Sequence, residues 1–298
     1  MRGKTAGGAR GILLVLSLTF SLGACDKAQH DSNVLANRGV AAYDRAEPEV
    51  AFDFFIRALQ SDPNNDLAHY HLGLVERYDR GDPASAKKRF QEAVRLNPNN
   101  SDAAFQLASL YLDAGKIDTA HSHANRAVLS DPQNYQANYL LGSILEEKGE
   151  YQEADTQYRR AISLYPLYPP AFTALGALYL RFEEIEAAIE VLEEGVRFNP
   201  GDAELQTHLG LARMEARDYE AALPAFERAV SIDPHQPLHY FNLGNVFERL
   251  GDRQQTFDIL QHFLEISRPE HAAEARLARA LIDRLMIDAD AAARAKVE

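Results

Sequence analysis

Apolar residues of defined size recur at a constant spacing along most of the chain. Each segment of about 34 residues contains a leucine followed by glycine or alanine, then an alanine, then a large apolar residue four positions later. The leucine pairs are Leu72-Gly73, Leu107-Ala108, Leu141-Gly142, Leu175-Gly176, Leu209-Gly210 and Leu243-Gly244. Proline ends each segment, at Pro63, Pro98, Pro132, Pro166, Pro200 and Pro234, which are 35, 34, 34, 34 and 34 residues apart. A fixed period of this length is typical of an array of small helical units.

Each unit is predicted to consist of two antiparallel helices. The recurring alanine and large apolar residue lie on the second helix, for example Ala51 with Phe55 and Ala86 with Phe90, although the third unit has Ala124 at the large position. We expect the helices to cross where the glycine meets the alanine, and the large residue to fill the gap to the next unit. The proline stops the second helix, and the Asp or Asn before it suits a turn.

These positions resemble those of tetratricopeptide repeats (TPRs) over about residues 32–266. The resemblance implies an all-α fold, a right-handed superhelix (α-solenoid) of about seven helical hairpins. The repeats are predicted at 32–65, 66–100, 101–134, 135–168, 169–202, 203–236 and 237–266. The second carries one extra residue near Asp82-Pro83, and the first has Arg38 where leucine is expected. An amphipathic stripe predicts a capping helix within residues 267–287, followed by a frayed tail at 288–298.

The N-terminal segment indicates export. Three basic residues precede an apolar run at residues 12–23, which is shorter than the roughly 20 residues that span a bilayer. The only cysteine, Cys25, follows Leu22-Gly23-Ala24, which resembles the lipobox of bacterial lipoproteins. Residues 1–24 are therefore predicted to be a lipoprotein signal peptide and residues 25–31 a lipidated cysteine with a short linker. A plain secretory signal with a chance cysteine is the alternative.

The lipobox implies a lipid anchor in the cell envelope, facing the periplasm. We favour the outer membrane, although Asp26 after the cysteine leaves the inner membrane open. The formal net charge is −13, which argues against nucleic acid as a partner. No phosphate loop, nucleophile elbow or zinc-protease helix occurs, and the histidines lack metal-ligand spacing. We therefore predict no enzyme activity, cofactor or metal site.

In TPR proteins the first helices of successive units line the concave face. The resemblance implies a partner-binding groove, for which we select Tyr70, Leu74, Phe105, Leu112, Tyr139, Phe241, Asn242 and Asn245. Only Arg77 among the inward positions is basic, so the groove lacks the cationic clamp that holds acidic peptide ends. Its aromatic and acidic character suits a protein or peptide segment that is apolar or basic. The alternative is that the aromatic residues only pack against neighbouring helices.

Together these features predict a lipid-anchored protein–protein interaction scaffold of the bacterial envelope. The architecture is similar to that of the TPR pilotin lipoproteins, which implies help in assembling a type IV pilus or secretion pore. Two alternatives stay open. The first is an adaptor for peptidoglycan hydrolases or proteases, and the second is a substrate-capturing subunit of an envelope glycan synthesis or export complex. Repeat motifs encode a fold and leave the partner unspecified.

Overall fold

The computed structural model describes the backbone of residues 10–295 and the side chains of residues 26–288. The described residues form helices and turns, without a strand. The α-helices are α1 Arg10–Asp44, α2 Pro48–Ser61, α3 Asp66–Leu74, α4 Pro83–Leu96, α5 Ser101–Asp113, α6 Ile117–Ser130, α7 Tyr135–Glu147, α8 Tyr151–Leu164, α9 Pro169–Arg181, α10 Ile185–Phe198, α11 Ala203–Glu215, α12 Tyr219–Ile232, α13 Pro237–Leu250, α14 Arg253–Ile266 and α15 Ala272–Ala295. The all-α fold expected from the apolar pattern is confirmed.

The chain divides into two compact units, Met1–Ile144 (unit 1) and Leu145–Glu298 (unit 2). Within unit 1, α1 packs on α2, α3 on α4 and α5 on α6. Within unit 2, α9 packs on α10, α11 on α12 and α13 on α14. The second helix of each of these hairpins also contacts the first helix of the next hairpin of its unit, so that buried side chains of neighbouring hairpins share apolar clusters.

Glycine on the first helix of a hairpin receives the large side chain of the second helix. A Cβ atom at Gly73 would lie 2.6 Å from the Phe90 ring, and one at Gly210 would lie 2.7 Å from the Phe226 ring. The expectation that the large residue mainly fills the gap to the next unit was therefore incomplete. Its ring lies directly on the glycine of its own hairpin, because only glycine leaves room for it there.

The turns between hairpins are held by short polar side chains. Asp62 and Asn97, each just before a proline, accept hydrogen bonds from the backbone N–H two residues later, at 2.9 and 3.2 Å. Asn65 and Asn100 then cap α3 and α5. The side-chain oxygen of each asparagine accepts a hydrogen bond from the backbone N–H three residues later, in both cases at 2.9 Å. The role assigned to Asp or Asn before proline is confirmed at these positions.

The extra residue of the second repeat lies earlier than its sequence suggests. It is accommodated by a π-helical turn, Val75–Asp79, at the end of α3 and not beside Asp82-Pro83. The Arg80 N–H donates to the Val75 carbonyl, 3.1 Å away and five residues earlier. A helical turn can take up one added residue by forming such a hydrogen bond across five residues, and the helix is not broken.

Helix α1 is longer than predicted. It runs without interruption from Arg10 to Asp44, so residues 25–31 are helical and do not form a separate linker. The Ser61 hydroxyl of α2 donates to the Ala28 carbonyl at 3.0 Å, which ties this part of α1 to the first hairpin. The side chains of the predicted signal peptide (1–24) and of Cys25 lie outside the described residues. Over the described part of the chain, no helix combines the length and apolarity needed to cross a bilayer.

The C-terminal helix is also longer than predicted. After a 3₁₀ turn at Pro269–His271, α15 continues to Ala295, so most of the segment expected to be a frayed tail is helical. Ala275 and Ala278 of α15 are buried against Leu260 and Phe263 of α14. The helix therefore covers the last hairpin, as a terminal cap does.

Candidate partner-binding face

Tyr70 on α3 is half-buried and has aromatic neighbours. Its ring lies 4.9 Å from the His71 ring and 6.1 Å from the Phe90 ring. Burial raises the pKa of its hydroxyl, and the nearby Asp102 carboxylate and the hydroxyls of Tyr78 and Tyr43 raise that pKa further. The Tyr70 hydroxyl is therefore neutral at physiological pH and surrounded by groups of negative or neutral charge.

Leu74 and Phe105, two further predicted groove residues, lie on α3 and α5. Both are half-buried and pack on the same core cluster as Tyr70, around Phe90 and Leu107. Much of their apolar surface is used for packing between hairpins, as the alternative interpretation expected. Leu112 in the last turn of α5 and Tyr139 on α7 are half-buried as well.

The π-helical turn brings Arg77 to the next hairpin. Its guanidinium donates to the Gln106 side-chain oxygen at 2.7 Å and to the Ser109 hydroxyl at 2.9 Å, and it pairs with Asp113 at 3.3 Å. The Arg77 side chain is only 14% exposed. The one basic inward position is thus engaged by neighbouring residues, and it connects the π turn to α5.

Tyr78, beside Arg77, is the exposed aromatic of this region. It is 58% exposed, and its hydroxyl donates to the Gln106 side-chain oxygen at 3.0 Å. The Arg77 guanidinium lies 5.1 Å from the centre of the Tyr78 ring. Since Gln106 is buried, the bond fixes the orientation of an exposed ring.

Tyr43 in the last turn of α1 completes the group. Burial raises the pKa of its hydroxyl, with a further contribution from its hydrogen bond to Asp79. We call the group formed by Tyr43, Tyr70 and Tyr78, whose hydroxyls influence one another electrostatically, together with Phe105, which packs on the same core cluster as Tyr70, the tyrosine face. Tyr78 was not among the predicted groove residues because the π turn shifts the register of the second repeat, and the extra residue in that repeat was the available signal. Tyr43 lies in the first repeat, where no sequence signal singled it out.

The tyrosine face has an acidic border. Asp79 lies beside Tyr43 and Asp102 beside Tyr70, while Arg77 and Asp113 pair with each other. Desolvation raises the pKa of Asp102, and the neighbouring Asp131 raises it further. Such a face favours a cationic or apolar partner over an anionic one.

The other three predicted groove residues lie in unit 2, on α13. The Phe241 ring packs on the Phe263 ring with 5.3 Å between centres, so Phe241 belongs to the core of the last hairpin. Asn242 and Asn245 are half-buried. Within the part of the chain that the structure describes, no group of three or more metal-ligating side chains occurs.

Paired helices with glycine-centred crossings, repeated within each unit, define a helical-hairpin repeat protein. Sequence models described as tetratricopeptide repeat or TPR repeat match residues 75–112, 105–169, 145–210 and 212–251, which together exceed half of the chain. The chain belongs to the tetratricopeptide-repeat family. No curated protein sequence matches the chain.

Several solved structures are similar to the chain. The Pseudomonas aeruginosa PilF protein is 21% identical, with a TM-score of 0.62, and the match covers 72% of this chain and 96% of PilF. The MamA protein is 27% identical, with a TM-score of 0.50, over 57% of this chain and 92% of MamA. YrrB, described as a TPR protein with an unusual peptide-binding site, is 20% identical, with a TM-score of 0.50. The match covers 64% of this chain and 97% of the YrrB chain. The family fold supports a protein–protein interaction scaffold as the general role.

Proposed function

We propose that the protein is a lipid-anchored scaffold of the bacterial envelope that binds a segment of another protein at the tyrosine face. The observation that carries the proposal is the exposed Tyr78 ring, which is held by a hydrogen bond to a buried glutamine. An exposed aromatic side chain that is already ordered loses little conformational entropy on binding, so it is a good anchor for a partner.

The charges around this ring define the partner. Asp79 and Asp102 border the face, and the charge of Arg77 is engaged by Gln106, Ser109 and Asp113 of α5. We therefore expect a segment with apolar side chains for the tyrosines and basic side chains for the carboxylates. The similarity to YrrB, described as having a peptide-binding site, supports peptide binding as the mode.

The experiment is capture of partners by the purified protein from detergent-solubilised membranes. Tyr78→Ala should reduce capture about tenfold, as loss of a central aromatic anchor does. The matched control is Leu129→Ala, because Leu129 is 80% exposed on α6 and does not belong to the tyrosine face. Equal capture by Tyr78→Ala and the unchanged protein, with helicity preserved, would reject the tyrosine face as the binding site.

The anchor is proposed at Cys25, with the protein facing the periplasm and the outer membrane favoured. Ser32 is the seventh residue after Cys25 along α1, which at helical rise is a distance of about 10 Å. Ser32 is buried and donates to the Ala58 carbonyl of α2 at 2.8 Å. A lipid on Cys25 would therefore hold the first hairpin close to the membrane.

Labelling with radioactive palmitate in the native cell tests the anchor. We expect the protein to incorporate label and to sediment with membranes, and Cys25→Ala to lose both properties. Ser32→Ala, which leaves the cysteine intact, serves as the control. Label that persists in Cys25→Ala would contradict the assignment.

Assembly of a type IV pilus or secretion pore is the pathway we propose. The support is similarity to PilF over nearly all of that protein, at 21% identity. Deletion of the gene should abolish surface pili or the assembled pore, and the unchanged gene should restore them. Normal assembly in the deletion strain would favour the adaptor role for hydrolases or the role in a glycan complex.

A further inference from the structure

Unit 2 has a solvent-open cleft of about 630 Å³ between α8 and α9, on residues distinct from the tyrosine face. Its walls are the first half of α8, the last turns of α9 and Glu184, which caps α10. Its volume is within the range of pockets that bind small molecules or a few side chains. Neither the family pattern nor the predicted groove includes it.

The base of the cleft is a fixed polar network. The Tyr179 hydroxyl donates to the Asp155 carboxylate, and the Arg159 guanidinium donates to both the Tyr179 hydroxyl and Asp155. Burial raises the pKa of Tyr179 to about 12, so this hydroxyl stays protonated as a donor. Because Arg159 and Asp155 neutralise each other, the base contributes no net charge.

The walls of the cleft are aromatic. The Tyr151 and Phe182 rings meet edge to face, with 4.9 Å between their centres. Phe182, the first residue of the turn that joins α9 to α10, is 49% exposed. The Arg181 guanidinium already lies 5.8 Å from the centre of the Tyr151 ring, which shows that this ring accepts a cation at close range.

The rim of the cleft is acidic. Glu150 is paired with Lys148 at 2.8 Å, whereas Glu153 and Glu184 are exposed at the opening and form no salt bridge within the described structure. After the internal pairs are subtracted, the lining keeps the two negative charges of Glu153 and Glu184. Aromatic walls beside a negatively charged rim suit a side chain with a cationic head on an apolar stem. Lysine and arginine have this chemistry.

We propose that this cleft is a second docking site, which binds a basic and apolar segment of a partner protein through an inserted lysine or arginine. The aliphatic stem of that side chain packs on Tyr151 and Phe182, and its charge lies between Glu153 and Glu184. The charge complementarity of the rim selects this occupant over an acidic segment.

The first test is binding of a short fluorescein-labelled lysine–leucine peptide to the full-length protein, measured by fluorescence anisotropy. We expect Phe182→Ala to weaken binding about fivefold, and the double variant Glu153→Gln with Glu184→Gln to do the same. A glutamate–leucine peptide of equal length should not bind.

Matched controls lie elsewhere in unit 2. Phe198→Ala removes another exposed phenylalanine, and Glu220→Gln with Glu227→Gln removes two exposed charges of α12. These controls should bind the lysine peptide as the unchanged protein does. Equal weakening by the control pair would show nonspecific attraction and overturn the proposal.

A second readout locates the bound peptide. Tyrosines are replaced biosynthetically by fluorotyrosine, and the ¹⁹F signals of positions 151 and 179 are assigned with Tyr151→Phe and Tyr179→Phe. The lysine peptide should shift both signals. Unshifted signals, or shifts produced by tetramethylammonium but not by the peptide, would overturn the docking of a protein segment.

Discussion

Where glycine occupies a hairpin crossing, a large side chain of the second helix lies against it. A Cβ atom on Gly210 would approach the Phe226 ring to 2.7 Å, so Gly210→Ala forces the ring or the helix to move. We expect this variant to lower the free energy of unfolding by about 1–3 kcal/mol, measured by urea denaturation.

Gly201 provides the matched control for Gly210. A Cβ atom on Gly201 would meet nothing within 4 Å, and its backbone does not require glycine. Gly201→Ala should therefore leave stability unchanged or raise it slightly, because alanine restricts the unfolded chain. Equal losses for Gly201→Ala and Gly210→Ala would mean that close packing at the crossing is not the cause.

Protonation of His71 is expected to make the free energy of unfolding depend on pH. It stacks on Phe55 with 5.6 Å between ring centres, and its Nδ1 atom is buried without a hydrogen-bond partner. Burial lowers the pKa of His71, against a smaller opposing effect of Asp44. Because the unfolded chain then binds a proton more readily, stability is full above about pH 6.5 and falls as the pH decreases below that value.

The effect of His71 is measured as the thermal midpoint between pH 7 and pH 5. His71→Gln should give a shallower decline than the unchanged protein, because one proton-binding group is removed. His235→Gln, at an exposed position in an inter-repeat turn, serves as the control and should keep the original slope. A slope unaffected by His71→Gln would contradict the assignment.

Among elements, the π-helical turn at Val75–Asp79 is specific to the second hairpin. Arg77→Ala removes the hydrogen bonds from this turn to Gln106 and Ser109, and we expect a loss of about 1–3 kcal/mol in urea denaturation. Arg57→Ala is the control, because Arg57 is exposed and both its 3.5 Å ion pair with Asp53 and its contact with the Phe54 ring lie within its own helix. A loss no larger than that of Arg57→Ala would mean that the turn does not depend on Arg77.

Helix α15 covers the last hairpin through Ala275 and Ala278, which bury Leu260 and Phe263. Truncation after Ser267 exposes these two side chains to water. Hydrogen exchange of the shortened protein should show loss of protection in α14 and retained protection in α9, because stabilising contacts in repeat arrays are between neighbours. Unchanged protection in α14 would contradict a capping role for α15.

The sequence predicted the helices well and two local features poorly. The repeated proline and the Leu-Gly pairs were sufficient to predict the hairpins, because the proline marks the end of each second helix and the glycine marks each close helix crossing. The extra residue of the second repeat was placed near Asp82-Pro83 instead of at Val75–Asp79, since a single added residue can be absorbed anywhere along a helix end. For the same reason the exposed Tyr78 was absent from the predicted groove, whereas Phe105 and Phe241, which were included, are half-buried and also pack against core side chains.

For the whole molecule, family membership supports a protein-binding scaffold, while the anchor and the partner stand as proposals. The residues proposed for binding are an ordered tyrosine group with an acidic border in unit 1. In unit 2 the residues proposed for binding line an aromatic cleft with an acidic rim. The net charge of −13 has the same sign as both sites, so long-range attraction would favour basic partners.

The most direct test of the scaffold proposal is photo-crosslinking in native membranes. Tyr78 is replaced by benzoylphenylalanine in one variant and Leu129 in another, since these residues are 58% and 80% exposed. We expect a discrete protein adduct from position 78, identified by mass spectrometry, and none of the same mass from position 129. No adduct from position 78, or the same adduct from both positions, would contradict partner binding at the tyrosine face.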